Sequence, residues 1–309
     1  MRCCGLPLAT LACFVLASPC DGQLRASERG SVSQTVDGTE ITVHYSRPMA
    51  RGRTGLFGGR VYWGETWTPG ANRATTLSVS KDVTIEGQPV PRGTYSVWIT
   101  IVQGPWVMIL DRDTALMHHQ PPKARPGQVR FPVSRERRPF LEGLTWWFPT
   151  VQGTRTTLAM QWDTVYVPLQ IRVPLSYPTA VAPELAHHSA GVYQIHFEPE
   201  QVSRDTTLHQ PVETIAREVR FTLREEGTEL RGVADPPLYR LEEGWRDWLL
   251  IPIGGHSFIL GRMLNGELVE VFKGWIVEFD PAGDRAGSFD LRTVADRLIG
   301  RGVRSTPTE

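Results

Sequence analysis

PRGTYSVWITIVQGPWVMILD, residues 91–111, decides the fold class. Tyr95, Val97, Ile99 and Ile101 take every second position, and Trp106, Met108 and Leu110 repeat the pattern after Gln103-Gly104-Pro105. Successive Cβ atoms of a strand point to opposite faces, so alternation of period two marks strands with one face on a core. The glycine and proline between the runs supply a turn. The stretch reads as two neighbouring antiparallel strands.

The same alternation spreads outward from this pair. Ile41, Val43 and Tyr45 form one apolar face, Leu77 and Val79 a second, and Leu158, Met160 and Trp162 a third. Asp37-Gly38, Glu86-Gly87, Pro91-Arg92-Gly93 and Gln152-Gly153 punctuate them. Short strands separated by turn signals predict an antiparallel β-sandwich over residues 30–173. Residues 174–190 hold three prolines and no periodicity, which predicts an extended linker. Beyond it come GVYQIHFE, EVRFTLREEGTELRGVA, DWLLIPI, HSFILGRM, LVEVFKGWIVEFD and SFDLR. So many short strands predict a small up-and-down β-barrel over residues 191–302. The tail TVADRLIGRG reads as a short helix through Val294, Leu298 and Ile299. The chain is predicted to be all-β.

The first residues, MRCCGLPLATLACFVLASPCDGQ, predict an export signal over residues 1–22. Arg2 precedes an apolar run, Leu6 to Ala17, too short to span a bilayer, and small residues follow. The expected location is the periplasm or the extracellular space. Lipoprotein anchoring at Cys20 is disfavoured by Pro19. All four cysteines lie in this segment, so cleavage after Gly22 removes disulfides, thiolate catalysis and cysteine metal sites together. No later apolar run is long enough to cross a membrane.

The net charge of zero conceals an asymmetry: residues 31–173 carry 16 Lys+Arg against 10 Asp+Glu, and residues 184–309 carry 14 against 21. A basic first half and an acidic second half suit mutual docking or separate partners, and suit equally two ordinary solvated surfaces.

The first half also carries an ordered string of motifs: SVSQTVDGTEITVHYSRPMARGR, FGGRVYWGETWTPGANRATTLSVS, VPRGTYSVW and PWVMILDRD. In these it resembles the DUF2911 family of exported bacterial proteins of unknown function, over about residues 30–173. The resemblance implies export and a domain boundary, and no reaction. Where that family tends to carry Trp-Arg-x-Gly-Ala-Asn-Glu, this chain has Thr68 in place of the arginine and Arg73 in place of the acid. The second half is more loosely similar to small lipocalin-like barrels, through its Gly-x-Tyr start and its EFDPAGDRAGSFDL ending.

Candidate site residues cluster in YWGETWTPGANRATT, residues 62–76. Trp63 and Trp67 suit stacking on a sugar or other planar ligand, with Glu65, Asn72 and Arg73 to orient it. Against this stands a packed corner, in which both tryptophans plug the end of the sandwich and Asn72 serves a turn. Arg47, Arg51, Arg53 and Arg60 lie in HYSRPMARGRTGLFGGR, residues 44–60, with no acid among them. Their planar forks suit phosphate, sulfate or carboxylate, while a solvated basic face is the plainer reading. The P-loop ending Gly-Lys-Ser/Thr is missing. The histidines form the adjacent pairs His118-His119 and His187-His188, whose rings diverge on a strand, so no metal and no cofactor are expected. Trp245, Trp248 and Trp275 with Tyr239 suit a barrel mouth or, equally, a filled barrel interior.

These observations favour an exported non-catalytic binding protein of the cell envelope, its ligand a glycan or a small amphipathic molecule. Nucleic acid is disfavoured by the export signal. The alternatives are an envelope hydrolase using Glu65 with a second acid, and a scaffold with oppositely charged docking domains.

Overall fold

The computed structural model describes residues 25–198, 216–238 and 246–305. The predicted export signal, Tyr239 and Trp245 lie outside the described residues.

The architecture is all-β: a sandwich followed by a closed barrel. The first sheet of the sandwich has seven strands, in the order β1 (Glu28–Val36), β2 (Thr39–Arg47), β4 (Thr76–Val79), β7 (Gly93–Thr100), β8 (Trp106–Asp111) and β9 (Val129–Val133), with the short β3 (Thr66–Trp67) also on β7. The second has four: β10 (Glu136–Gln152), β11 (Arg155–Arg172), β5 (Val83–Ile85) and β6 (Gln88–Val90). β1 and β9 therefore border one sheet, β10 and β6 the other. All pairings are antiparallel, and β7 meets β8 in the register Val97 to Leu110 and Ile99 to Met108. The alternating faces meet in one core, with Ile41, Val43, Val97, Ile99, Met108 and Leu110 opposite Trp146, Leu158, Met160 and Leu169.

β3 and β4 lie on the same side of β7, with residues 68–75 leaving the sheet between them. The fully buried Thr68 bridges this gap: its hydroxyl donates to Val97 O (2.8 Å) and accepts from the Thr75 amide (2.9 Å). The residue that replaces the resembled family's arginine is thus a backbone clamp.

Residues 174–190 differ from the predicted extended linker. Pro183–Ser189 form a helix, α1, with Pro183 in its first turn and Glu184 beside it. Proline fits a helix start, where its missing N–H is not needed, and an acid there faces the positive end of the helix dipole.

The barrel closes β12 (Gly191–Phe197), β13 (Glu218–Glu226), β14 (Glu229–Asp235), β15 (Asp247–Gly254), β16 (Ser257–Leu264), β17 (Glu267–Phe279), β18 (Ser288–Thr293) and β19 (Leu298–Arg304). The expected tail helix is instead β19, which pairs with both β18 and β12 and so completes the barrel. Gly300 and Gly302 disfavour a helix, and a Cβ on Gly302 would lie 2.3 Å from the Phe289 ring. Bare backbone lets that ring cross the strand.

The barrel interior is filled by its own rings. Tyr193, Phe279 and Phe289 pack with centroids 5.0 to 5.8 Å apart, and Trp248 and Trp275 are buried. Burial pushes the Tyr193 phenol up to about 12 against the opposing pull of Arg304 and Arg285. The Arg304 guanidinium caps this end, donating to Ala286 O, Ala190 O, His188 O and Tyr193 Oη.

The two units touch. Glu267 at the start of β17 pairs with Arg155 and Arg172 of β11, and the connection between the units is tied to the sandwich where the Ser176 amide donates to Asp37 Oδ2 (2.7 Å). No helix among the described residues is long and apolar enough to cross a membrane.

Candidate functional site

Where residues 68–75 leave the first sheet, the end of the sandwich opens into a cleft of 450 Å³. Trp67 of β3 and Trp162 of β11 form its floor, and Arg51, Arg53, Arg60, Glu65, His118 and His119 line its walls.

The floor is set by core packing. Trp67 stacks on Trp162, and Phe57 meets both edge-on at 5.5 and 6.2 Å and lies 5.0 Å from Trp106. Such offset and T-shaped pairs add about 0.5–1.5 kcal/mol each beyond the area they bury. Both floor tryptophans are buried, at 8 % and 4 % exposure, so the cleft meets only their margins.

The arginine wall is the connection between β2 and β3, which contains no regular element long enough to hold itself. The second sheet holds it. The Glu142 carboxylate accepts from the Arg51 amide, whose residue sits at φ +54°, and the Glu142 carbonyl accepts from the Ala50 amide (2.8 Å). Buried Asp163 of β11 takes the Leu56 amide (2.8 Å) from below. The guanidinium groups then tie the loop down: Arg53 donates within it to Ala50 O (2.7 Å) and Met49 O (3.2 Å), and Arg51 donates to Ala26 O (3.1 Å) ahead of β1. The three arginine side chains stay exposed.

The opposite wall is the 70–74 turn. Asn72 adopts φ +62°, a left-handed conformation that asparagine tolerates. Its Nδ2 donates to Ser27 O (3.2 Å), and its carbonyl accepts both the His118 amide (2.8 Å) and the His118 ring (3.0 Å). A carbonyl only accepts, so His118 Nδ1 carries a proton and Nε2 is left for solvent or a ligand.

Of the nine sequence candidates in these two stretches, Arg51, Arg53, Arg60, Glu65 and Trp67 line this one cleft. Asn72 frames it from behind. Arg47 turns back to Tyr45 Oη (3.0 Å), and Arg73 lines a different recess. Trp63 is exposed beside Arg135, whose guanidinium lies 5.9 Å from its ring. Sequence reasoning missed Trp162 and the His118-His119 pair as partners of this loop. Trp162 sits on the inward face of a strand, as its alternation predicts, but nothing local names the ring it stacks on.

Electrostatically the cleft is cationic. Glu65 is the single acid in the described lining, and its Oε2 already accepts the Tyr62 amide (2.8 Å). Among the described residues no group of three or more His, Cys, Asp or Glu side chains is placed to hold a metal ion.

No curated protein and no solved structure matches the chain. One family model does, described as a protein of unknown function, DUF2911, and its match runs from residue 27 to residue 171. The sandwich unit that carries the cleft is thus the part of the chain that is similar to the DUF2911 family.

Proposed function

We propose that the chain is a non-catalytic binding protein, and that the cleft over Trp67 and Trp162 captures a small glycan or amphipathic molecule bearing a carboxylate, phosphate or sulfate. One observation carries this reading: Arg51, Arg53 and Arg60 converge on a single cleft whose described lining offers one acid. Guanidinium forks bind such anions bidentately, and hydrogen bonds to charged groups contribute about 1.5–3 kcal/mol each. The loop is also held before any ligand arrives, by Glu142 and Asp163, so little ordering entropy remains to be lost on binding.

A hydrolase working through Glu65 is less well supported, since paired-carboxylate chemistry needs a second acid in the same cleft. The leading apolar segment supports a working place outside the cytoplasm.

Calorimetric titration of the full chain with galacturonate, glucose 6-phosphate and glucose tests the proposal. Binding of the two anionic sugars, with none of glucose, supports it. Equal binding of glucose, or binding unaltered by Arg60→Ala, counts against it.

A further inference from the structure

The cleft has a neighbour. Segments 26–30 and 70–74 run side by side, tied by the Asn72 to Ser27 bond. Ala26, Ser27, Gly70 and Ala71 face the first cleft. Arg29, Gly30, Arg73 and Ala74, a few residues further along the same two segments, face a second recess of 480 Å³. His44, Tyr45, Ser46, Thr76 and Thr114 complete that recess, and its described lining contains no Asp or Glu. The two recesses therefore share one thin wall.

The arginines divide across this wall as Arg51, Arg53 and Arg60 on one side and Arg29 and Arg73 on the other, all exposed. The described linings of the two recesses hold five guanidinium groups against one acid, Glu65, and the wall segment between them adds the exposed Glu28. Crowding like charges raises the energy of the free protein, and a multiply charged anion relieves it. One small anion engages one recess only. A linear chain of anions laid over the wall engages both, and the second contact becomes intramolecular.

We infer that the ligand is an acidic oligosaccharide long enough to cross from the Trp67 cleft into the Arg29/Arg73 recess. The ring margins of Trp67 and Trp162 in one recess, and the Thr76 and Thr114 hydroxyls in the other, favour a sugar backbone over a bare polyphosphate. The inference rests on the proposed binding function and adds the second subsite.

The test is a length series of oligogalacturonates, from one to eight units, titrated against the full chain at fixed salt. The expected result is an affinity that climbs by about a hundredfold across the series and then levels. Combining Arg29→Ala with Arg73→Ala brings the octamer's affinity down to that of the monomer. A wild-type affinity independent of length, beside measurable monomer binding, overturns the second subsite and leaves the first cleft standing. Failure of both monomer and octamer to bind overturns the proposed function itself. A polyphosphate series that binds as tightly as the sugars overturns the saccharide assignment. Arg29 and Arg73 are exposed, and an unchanged circular dichroism melt shows that the double variant is folded.

Discussion

Trp67 and Trp162 stack across the sandwich, one from each sheet, with ring centroids 5.9 Å apart and planes 17° from parallel. The floor of the cleft and the plug of the core are thus the same two side chains. Trp67→Ala is therefore expected to cost about 3–5 kcal/mol, as deletions of buried aromatic groups do. Urea denaturation reads this directly. A loss below about 1 kcal/mol would mean that the ring packs less tightly than its burial implies.

Arg60 gives the opposite case. It is exposed at the cleft wall, so Arg60→Ala should leave stability within about 0.5 kcal/mol. It should weaken galacturonate binding by about tenfold, the loss of one charged hydrogen-bonding partner. The two variants together separate packing from recognition.

Asp163 acts on the ligand only through the loop it holds. Asp163→Ala leaves the Leu56 amide unpaired in a buried place, which costs about 1–3 kcal/mol. The residue also sits at φ +55°, where a Cβ without a local polar partner adds about 1–2 kcal/mol. Asn keeps the acceptor and tolerates the backbone, so Asp163→Asn should restore most of the stability and the binding. Equal loss in both variants would show that the charge, not the clamp, matters.

The acid limb of stability should depend on Asp111. This carboxylate is fully buried. Burial pushes its pKa up, but hydrogen bonds from Arg125, the Asp113 amide and Gln128 outweigh that and hold it below the ordinary value. A folded-state pKa below the unfolded one contributes stability that is present above the unfolded value, about pH 4, and is lost as pH falls through the folded value. Thermal melts between pH 6 and pH 2 should show this loss, and Asp111→Asn should flatten it. An unchanged acid slope in the variant would exclude Asp111 as its source.

Contact between the two units is open to a steric test. An added Cβ at Gly153, in the β10–β11 turn, would lie 2.4 Å from Leu268 O of the barrel. Gly227, in the β13–β14 turn, has a similar φ, +63° against +55°, and nothing within 4 Å. Gly153→Ala should therefore speed proteolysis of residues 174–182 well beyond Gly227→Ala, which carries the backbone strain alone. The ion pairs of Glu267 with half-exposed Arg155 and Arg172 add little, about 0–1 kcal/mol each. Equal proteolysis of the two variants would show that the units do not lean on each other there.

The strands were legible because alternation is a local property, and residues 95–101 or 158–162 display it without help from the rest of the chain. The turns were legible for the same reason: Asp37-Gly38 and Glu86-Gly87 both take positive φ at both positions. Helix α1 was hidden because seven residues with only Leu185 and Ala186 as apolar helix formers carry too little period. β19 was hidden because its apolar side chains fit either element, and only its place between β18 and β12 decides. The cleft was half legible. Arg51, Arg53, Glu65 and Trp67 lie close in sequence. Trp162, Asp163 and Glu142 reach them from the opposite sheet, across about a hundred residues of chain, and no local pattern encodes that.

The sandwich has borders and the barrel has none, and the borders are not alike. β9 carries Pro132, β6 carries Pro89, and β10 carries Pro139 and Pro149. Each proline withdraws an N–H from the ladder that an incoming strand would need. β1, ERGSVSQTV, has no proline. Among the described strands, aggregation by edge-to-edge pairing meets its lowest obstacle at β1, the strand whose first residues also supply Arg29 to the wall between the two recesses.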